Sequence, residues 1–198
     1  MEVDLRNIEN KPTVVSIKSG WFVNSINNEF ITDNYRSILH FYIVETLCDS
    51  LSYKGKSVKS LGWSKNVWKK DKLKKLLISI IAEKRKNDEF LFYAKKIFDI
   101  KTGVKLLGME KGFHRGIQEK ILVYKMPKYS QIESIFYHIR NSLAHGRFQI
   151  YKRNDSVVYV LESGFKKEDD LELRARIILK EETLIRWMEI IRNPNIYQ

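Results

Sequence analysis

The 198 residues hold a single cysteine, Cys48, only three prolines and four histidines, and each scarcity removes a class of protein. One thiol makes no intrachain disulfide, and with scattered histidines it supplies no Cys/His zinc site. No metal and no cofactor is expected, and a reducing, cytoplasmic setting fits best. The longest apolar stretch, Leu76 to Ala82, is interrupted by Ser79 and falls far short of the roughly 20 residues that cross a bilayer. The amino terminus, MEVDLRNIEN, carries acidic and amide residues where a secretory signal has basic ones ahead of an apolar run. Neither secretion nor membrane insertion is expected. No Pro/Gly/Ser linker, repeat or low-complexity tract divides the chain, so residues 1–198 are expected to form one domain.

Acidic residues are scarce too, and unevenly so. The net charge is +12, and the stretch from Lys54 to Lys86 carries twelve basic residues against Asp71 and Glu83. The rest of the chain is nearly balanced, with 24 basic and 22 acidic residues. A concentrated positive field suits a polyanion, because neutralising phosphates releases condensed counterions. A solvated, lysine-rich helix face that maintains solubility explains the same charges, and charge alone does not separate the two.

A hydrophobic fraction of 43% and an aromatic fraction of 12% suit a packed core. The spacing predicts a short strand at Val14–Ile17 and a long amphipathic helix over Asn28–Ser52, with Phe30, Tyr35, Ile38, Leu39, Tyr42, Ile43 and Leu47 at three- and four-residue intervals. Leu73, Leu76, Leu77, Ile80 and Ile81 predict a second helix, and Phe90, Leu91, Ala94, Ile97 and Phe98 a third. Residues 101–128, punctuated by Gly103, Gly108, Gly112 and Gly116, are expected to be mostly loop. Ser130 and Glu133 form a capping box that opens the next helix, and Gly146 closes it. FQIYK, the turn Asn154-Asp155 and VVYVL then predict a β-hairpin. A polar loop at Lys166–Asp170 leads to a third strand, whose residues Leu171, Leu173, Ala175, Ile177 and Leu179 alternate onto one face. A last helix, with Leu184, Trp187, Met188 and Ile191 on one side, stops before Pro194.

The helix before Gly146 carries unusual chemistry. At 100° per residue, with His138 as zero, Ile132, Ile135, Phe136, Ile139 and Leu143 span about 60° to 160° and face the core. Asn141, Ser142 and His145 fall near about −60°, 40° and −20°, so with His138 they form one polar flank. Ordinary surfaces carry Lys and Glu; this one offers two imidazoles, an amide and a hydroxyl beside Arg140. Histidine serves as base or acid near neutral pH, and guanidinium grips phosphate oxygens in a bidentate way. Those are the groups needed for cleavage by a 2′-hydroxyl, with no metal required. At the helix end, carbonyl partial charges favour a cationic side chain at position 145.

The string IRNSLAHGRF, with Arg140, Asn141 and His145 followed by Gly146, resembles the R-x(4–6)-H motif of the HEPN superfamily, in which a polar residue often follows the Arg. The detailed resemblance covers about ten residues, and the helical pattern extends it loosely along the chain. It implies a mainly α fold: a HEPN-like helical bundle, here with a small C-terminal antiparallel β-meander and a final helix. It also implies a homodimeric, metal-independent endoribonuclease, with Arg140, Asn141 and His145 as catalytic residues in a site shared by two protomers. Products would carry 2′,3′-cyclic phosphate and 5′-hydroxyl ends. The setting implied is a toxin–antitoxin or antiviral-defence system, with RNA as substrate and an antitoxin or defence-system protein as further partner. The alternative is a non-catalytic module of the same kind that binds RNA, a nucleotide or a protein.

Geometry adds a condition. On a regular helix Arg140 lies about 140° from His145, so the two meet only if the helix distorts or ends early. His138, Ser142 and Arg147 are the candidate substrate-binding residues. For His138 a buried, hydrogen-bonded imidazole competes with that role, and Arg147 is equally readable as an ordinary strand residue. Phe148 and Tyr151 suit either base stacking or burial under the sheet. Gly112-Phe113-His114-Arg115-Gly116 forms a basic loop that matches no phosphate-binding pattern. His40 and Cys48 are expected to be packing residues.

Overall fold

A computed structural model of the chain describes residues 32–48, 60–63, 72–82, 90–110, 118–167 and 170–197. The predicted strand at Val14–Ile17, the loop Gly112–Gly116 and most of the Lys54–Lys86 segment lie outside these residues. The expectation of a mainly helical bundle with a small meander is overturned. A mixed five-stranded sheet in the order β1-β2-β5-β4-β3 occupies the centre, and the fold is α/β.

The strands are β1 (Leu91–Ala94), β2 (Lys120–Tyr124), β3 (Phe148–Arg153), β4 (Ser156–Lys167) and β5 (Asp170–Lys180). β3, β4 and β5 form the antiparallel meander that the hairpin and third-strand patterns predict. Two further strands extend it. β2 pairs antiparallel with β5, and β1 pairs parallel with β2. A parallel pair needs a crossover, and the connection contains helix α3 (Asp99–Leu106).

Both added strands contradict the expectations for their segments. Phe90, Leu91, Ala94, Ile97 and Phe98 satisfy a helical spacing, yet Leu91–Ala94 is a strand with apolar groups on both faces. Tyr93 packs in the core on one side of the sheet and Ala94 in the core on the other. A short apolar run of this kind cannot be told from a helix by period. Residues 101–128, expected to be loop, contain most of α3 and all of β2. β2 is an interior strand, and a strand buried on both faces reads as a continuous run, KILVY, without alternation.

Most helices cover one face of the sheet. They are α1 (Tyr35–Leu39), which continues in π-helical form through His40–Glu45; α2 (Lys72–Ala82); α4 (Gln131–Ala144); α5 (Glu181–Arg192); and the single turn α6 (Pro194–Tyr197). The helix predicted to Ser52 stops earlier, since Thr46 is already extended with ψ 152°. Between these helices and the sheet lies the larger core, with Phe41, Tyr42, Phe136 and Trp187 ring to ring at 5.0–6.4 Å. Buried indole N–H groups need acceptors. Trp187 donates to the carbonyl of Leu77 at 2.9 Å and Trp63 to that of Ile191 at 3.0 Å. The smaller core, on the other face, sits under α3.

One irregularity shapes the functional region. Ser163 pairs with Ala175, but Gly164 pairs with Leu173, so Arg174 is an extra residue in β5. This β-bulge breaks the expected alternation: Ala175, Ile177 and Leu179 face the larger core, whereas Leu173 faces the smaller one. The polar loop expected at Lys166–Asp170 is shorter, because β4 runs to Lys167 and β5 starts at Asp170.

Candidate functional site

Helix α4 begins as its sequence dictates. The Ser130 side chain accepts from the Glu133 N–H at 3.3 Å, and the Glu133 carboxylate accepts from the Ser130 N–H at 2.8 Å. Its end is equally ordered. His145 is the C-cap, Gly146 takes φ +64°, the Gly146 N–H donates to the carbonyl of Leu143 at 3.3 Å and the Arg147 N–H to that of Ser142 at 2.8 Å. This is a Schellman motif, and it requires a left-handed residue at position 146. The chain then turns directly into β3, which brings Arg147 back beside the helix terminus.

A pocket of about 500 Å³ opens between that terminus and the bulged region of β4 and β5. Its wall is formed by Tyr137, His138, Asn141 and His145 from α4, by Arg147, and by Met126, Ser163, Gly164, Phe165 and Arg174. Asn141 and His145 lie one turn apart on the same flank as His138, as the helical angles predict. Among the described residues the wall contains two guanidinium groups and no carboxylate. Positive charge lining a concave wall attracts anions.

The predicted residues divide. Asn141, His145, Arg147 and His138 line the pocket, whereas Arg140 and Ser142 do not. The helix stays regular to Ala144, so the distortion that would swing Arg140 towards His145 is absent. The Arg140 Nη1 donates instead to the Asn141 Oδ1 at 3.3 Å, which occupies the carboxamide oxygen and leaves the Nδ2 donor for the pocket side. Ser142 is fully buried, and its hydroxyl donates to the carbonyl of His138 at 2.8 Å.

His138 is fully buried with both ring nitrogens engaged. Nε2 lies 2.9 Å from the carbonyl of Tyr124, and Nδ1 lies 2.9 Å from the Ser163 Oγ. A carbonyl only accepts, so Nε2 carries the proton and Nδ1 accepts from Ser163. Burial dominates its titration and pushes its pKa down to about 4; the Tyr124 carbonyl opposes this and nearby Arg174 adds to it. The imidazole is neutral at pH 7. It pins α4 to the sheet, while His145, exposed at the helix end, is the imidazole open to solvent.

Arg174 is the residue that sequence patterning missed. Regular alternation gives it no special direction, and the bulge that places it in the wall leaves no mark in the sequence. It pairs with Glu172, and its guanidinium lies 5.0 Å from the Tyr124 ring. Arg147 donates from Nη1 to the carbonyl of Gly164 at 3.2 Å. Of the other candidates, Phe148 is half-buried against Tyr35, Tyr151 lies in the smaller core, His40 is exposed beside Glu45, and Cys48 is buried. Among the described residues no three His, Cys, Asp or Glu side chains gather into a set that could hold a metal ion. No described helix is long and apolar enough to cross a membrane.

Compared with protein-family models, with curated proteins and with solved structures, the chain matches none.

Proposed function

We propose that this chain is a metal-independent endoribonuclease of the HEPN kind, acting as a homodimer. The observation that carries this reading is the placement of a solvent-open imidazole, His145, beside an amide, Asn141, in a pocket whose charged groups, among the described residues, are guanidinium. The likeness to HEPN proteins resides in residues 139–148 and not in the architecture, which is a mixed sheet with helices on both faces.

On this reading the pocket holds a phosphodiester. One His145 takes the proton of the ribose 2′-hydroxyl, the oxygen attacks phosphorus, and the departing 5′-oxygen takes a proton from a second imidazole. His138 is no source for that proton, being neutral and hydrogen-bonded on both nitrogens. The His145 of a second protomer, also at an exposed helix end, fills the role. Arg147 offsets charge on the phosphorane-like transition state, and Asn141 Nδ2 donates to a phosphate oxygen. Arg140 is a positioning residue that acts through the Asn141 carboxamide. The products would be a 2′,3′-cyclic phosphate and a 5′-hydroxyl. Such an enzyme has the character of a toxin or defence component that a partner protein restrains.

The test is cleavage of mixed RNA in EDTA by wild type, His145→Ala, Asn141→Ala and Arg140→Ala. Wild-type cleavage should survive the chelator and fall by about 10²-fold or more in His145→Ala, with a smaller loss in Arg140→Ala. RNA left intact by the wild-type protein sinks the assignment. One observation favours a second reading, a binding module that holds RNA, a nucleotide or a protein without cutting: Arg140 and His145 do not meet within one protomer. That module would bind RNA and leave it whole.

A further inference from the structure

We propose that Arg174 and Phe165 form a binding subsite for single-stranded RNA beside His145, in which the Arg174 guanidinium grips a backbone phosphate and Phe165 stacks a base. The inference rests on the ribonuclease reading of the pocket for its substrate class, and on independent geometry for its residues.

Arg174 owes its position to an irregularity. It is the unpaired residue of the β5 bulge, set against Ser163 and Gly164, and the three residues share the pocket wall. Bulges re-aim side chains and recur beside functional sites. Its guanidinium is also held in place, by Glu172 on one edge and by the Tyr124 ring on its face. Glu172 is buried and lies outside the pocket wall, so it fixes the fork from behind without closing the pocket to anions. The Nη1 group has no hydrogen-bond partner among the described residues. A guanidinium fixed on one edge with donors left over is preorganised for a phosphate oxygen.

Phe165 supplies the second element. It is 62% exposed, on the strand that also provides Ser163 and Gly164, and it lines the same cavity. An exposed aromatic ring next to cationic groups is the arrangement on which single-stranded nucleic acids stack, because every base has a π-face. A concave cavity of about 500 Å³ admits a splayed-out nucleotide and not the flank of a duplex.

The experiment measures binding of an uncleavable 2′-O-methyl oligouridylate octamer across a salt series, with cleavage of the unmodified octamer followed in parallel. Wild type should bind with an affinity that falls as salt rises. Arg174→Lys, which keeps the charge but not the fork, and Phe165→Ala should each bind about tenfold more weakly. The double variant Arg174→Gln/Glu172→Gln leaves no buried charge unpaired and should flatten the logarithmic salt slope by about 0.7, the loss of one phosphate contact. Arg186→Gln, on the exposed face of α5, should leave affinity and slope unchanged. Thermal melts establish that each variant is folded, and Phe165→Ala keeps the question open to measurement if the Arg174 variants do not fold. Wild-type affinity in the folded variants overturns the subsite, whether or not RNA is cut. Binding lost in the variants with no cleavage by wild type keeps the subsite and removes the nuclease. A uridine monophosphate that binds as tightly as the octamer, or an octamer that does not bind wild type, also overturns the inference.

Discussion

His138 leaves two readings open in the sequence, a substrate contact or a buried, hydrogen-bonded imidazole, and packing selects the second. An imidazole seven positions before His145 shares its helical flank, but the sheet reaches it first, through Ser163 and the Tyr124 carbonyl. Its pKa is depressed from 6.5 to about 4, burial being the main cause. The unfolded chain therefore binds more protons than the folded one between those values, and stability rises with pH across that window. The contribution is fully present above pH 6.5 and is lost as pH falls towards 4. A gap of this size corresponds to about 3 kcal/mol, since each pKa step is worth about 1.36 kcal/mol. Urea denaturation at pH 7 and at pH 4.5 should show a drop in midpoint for wild type that is smaller in His138→Gln. Equal drops in both proteins would assign the acid sensitivity elsewhere.

Whole elements obey the same competition between local preference and packing, and α3 is the clearest case. Gly103 sits inside this helix, where alanine would be the better helix former by about 1 kcal/mol. A Cβ there would come within 2.6 Å of the Phe92 ring and closer still to Leu122, both from strands beneath the helix. Gly103→Ala should therefore destabilise the fold by about 1–3 kcal/mol, the usual range for overpacking a filled core. A denaturation midpoint that rises instead would mean α3 is loosely seated. This glycine also explains why the segment was not legible: in sequence it reads as punctuation, and only the sheet reveals it as a close approach. Where local chemistry alone decides, the sequence was readable. The capping box at Ser130, the αL position of Gly146 and the hairpin turn, with Asn154 at φ 51°, lie where their residues predict. β1 and β2 were not readable, because burial on both faces erases the alternation that marks a strand. The site was half readable for the same reason: Asn141 and His145 follow from helical geometry, while Arg174 depends on a bulge and Arg140 on a distortion that the helix does not make.

At the scale of the whole molecule, the proposed chemistry makes a demand that one protomer does not meet. Among the described residues of the pocket wall, His145 is the only imidazole not engaged by the sheet, yet base and acid are both needed in a single in-line displacement. The His145 end of α4 is exposed and closed by a tight Schellman turn, a shape that a second copy can approach across a two-fold axis. In such a pair each protomer contributes one His145 to a shared cleft, so replacing either one disables the cleft entirely. Wild type and His145→Ala, mixed in equal amounts and allowed to exchange subunits, should then retain about a quarter of the wild-type cleavage, the fraction of pairs with two intact protomers under random two-fold association. Activity per protomer should also fall on dilution, since the cleft is lost when the pair dissociates. Independent protomers would give a different number, half of the wild-type rate, with no dependence on concentration. That outcome would return both proton transfers to one chain, and since His138 is neutral and held on both nitrogens, a water or a group beyond the described residues would have to supply the second.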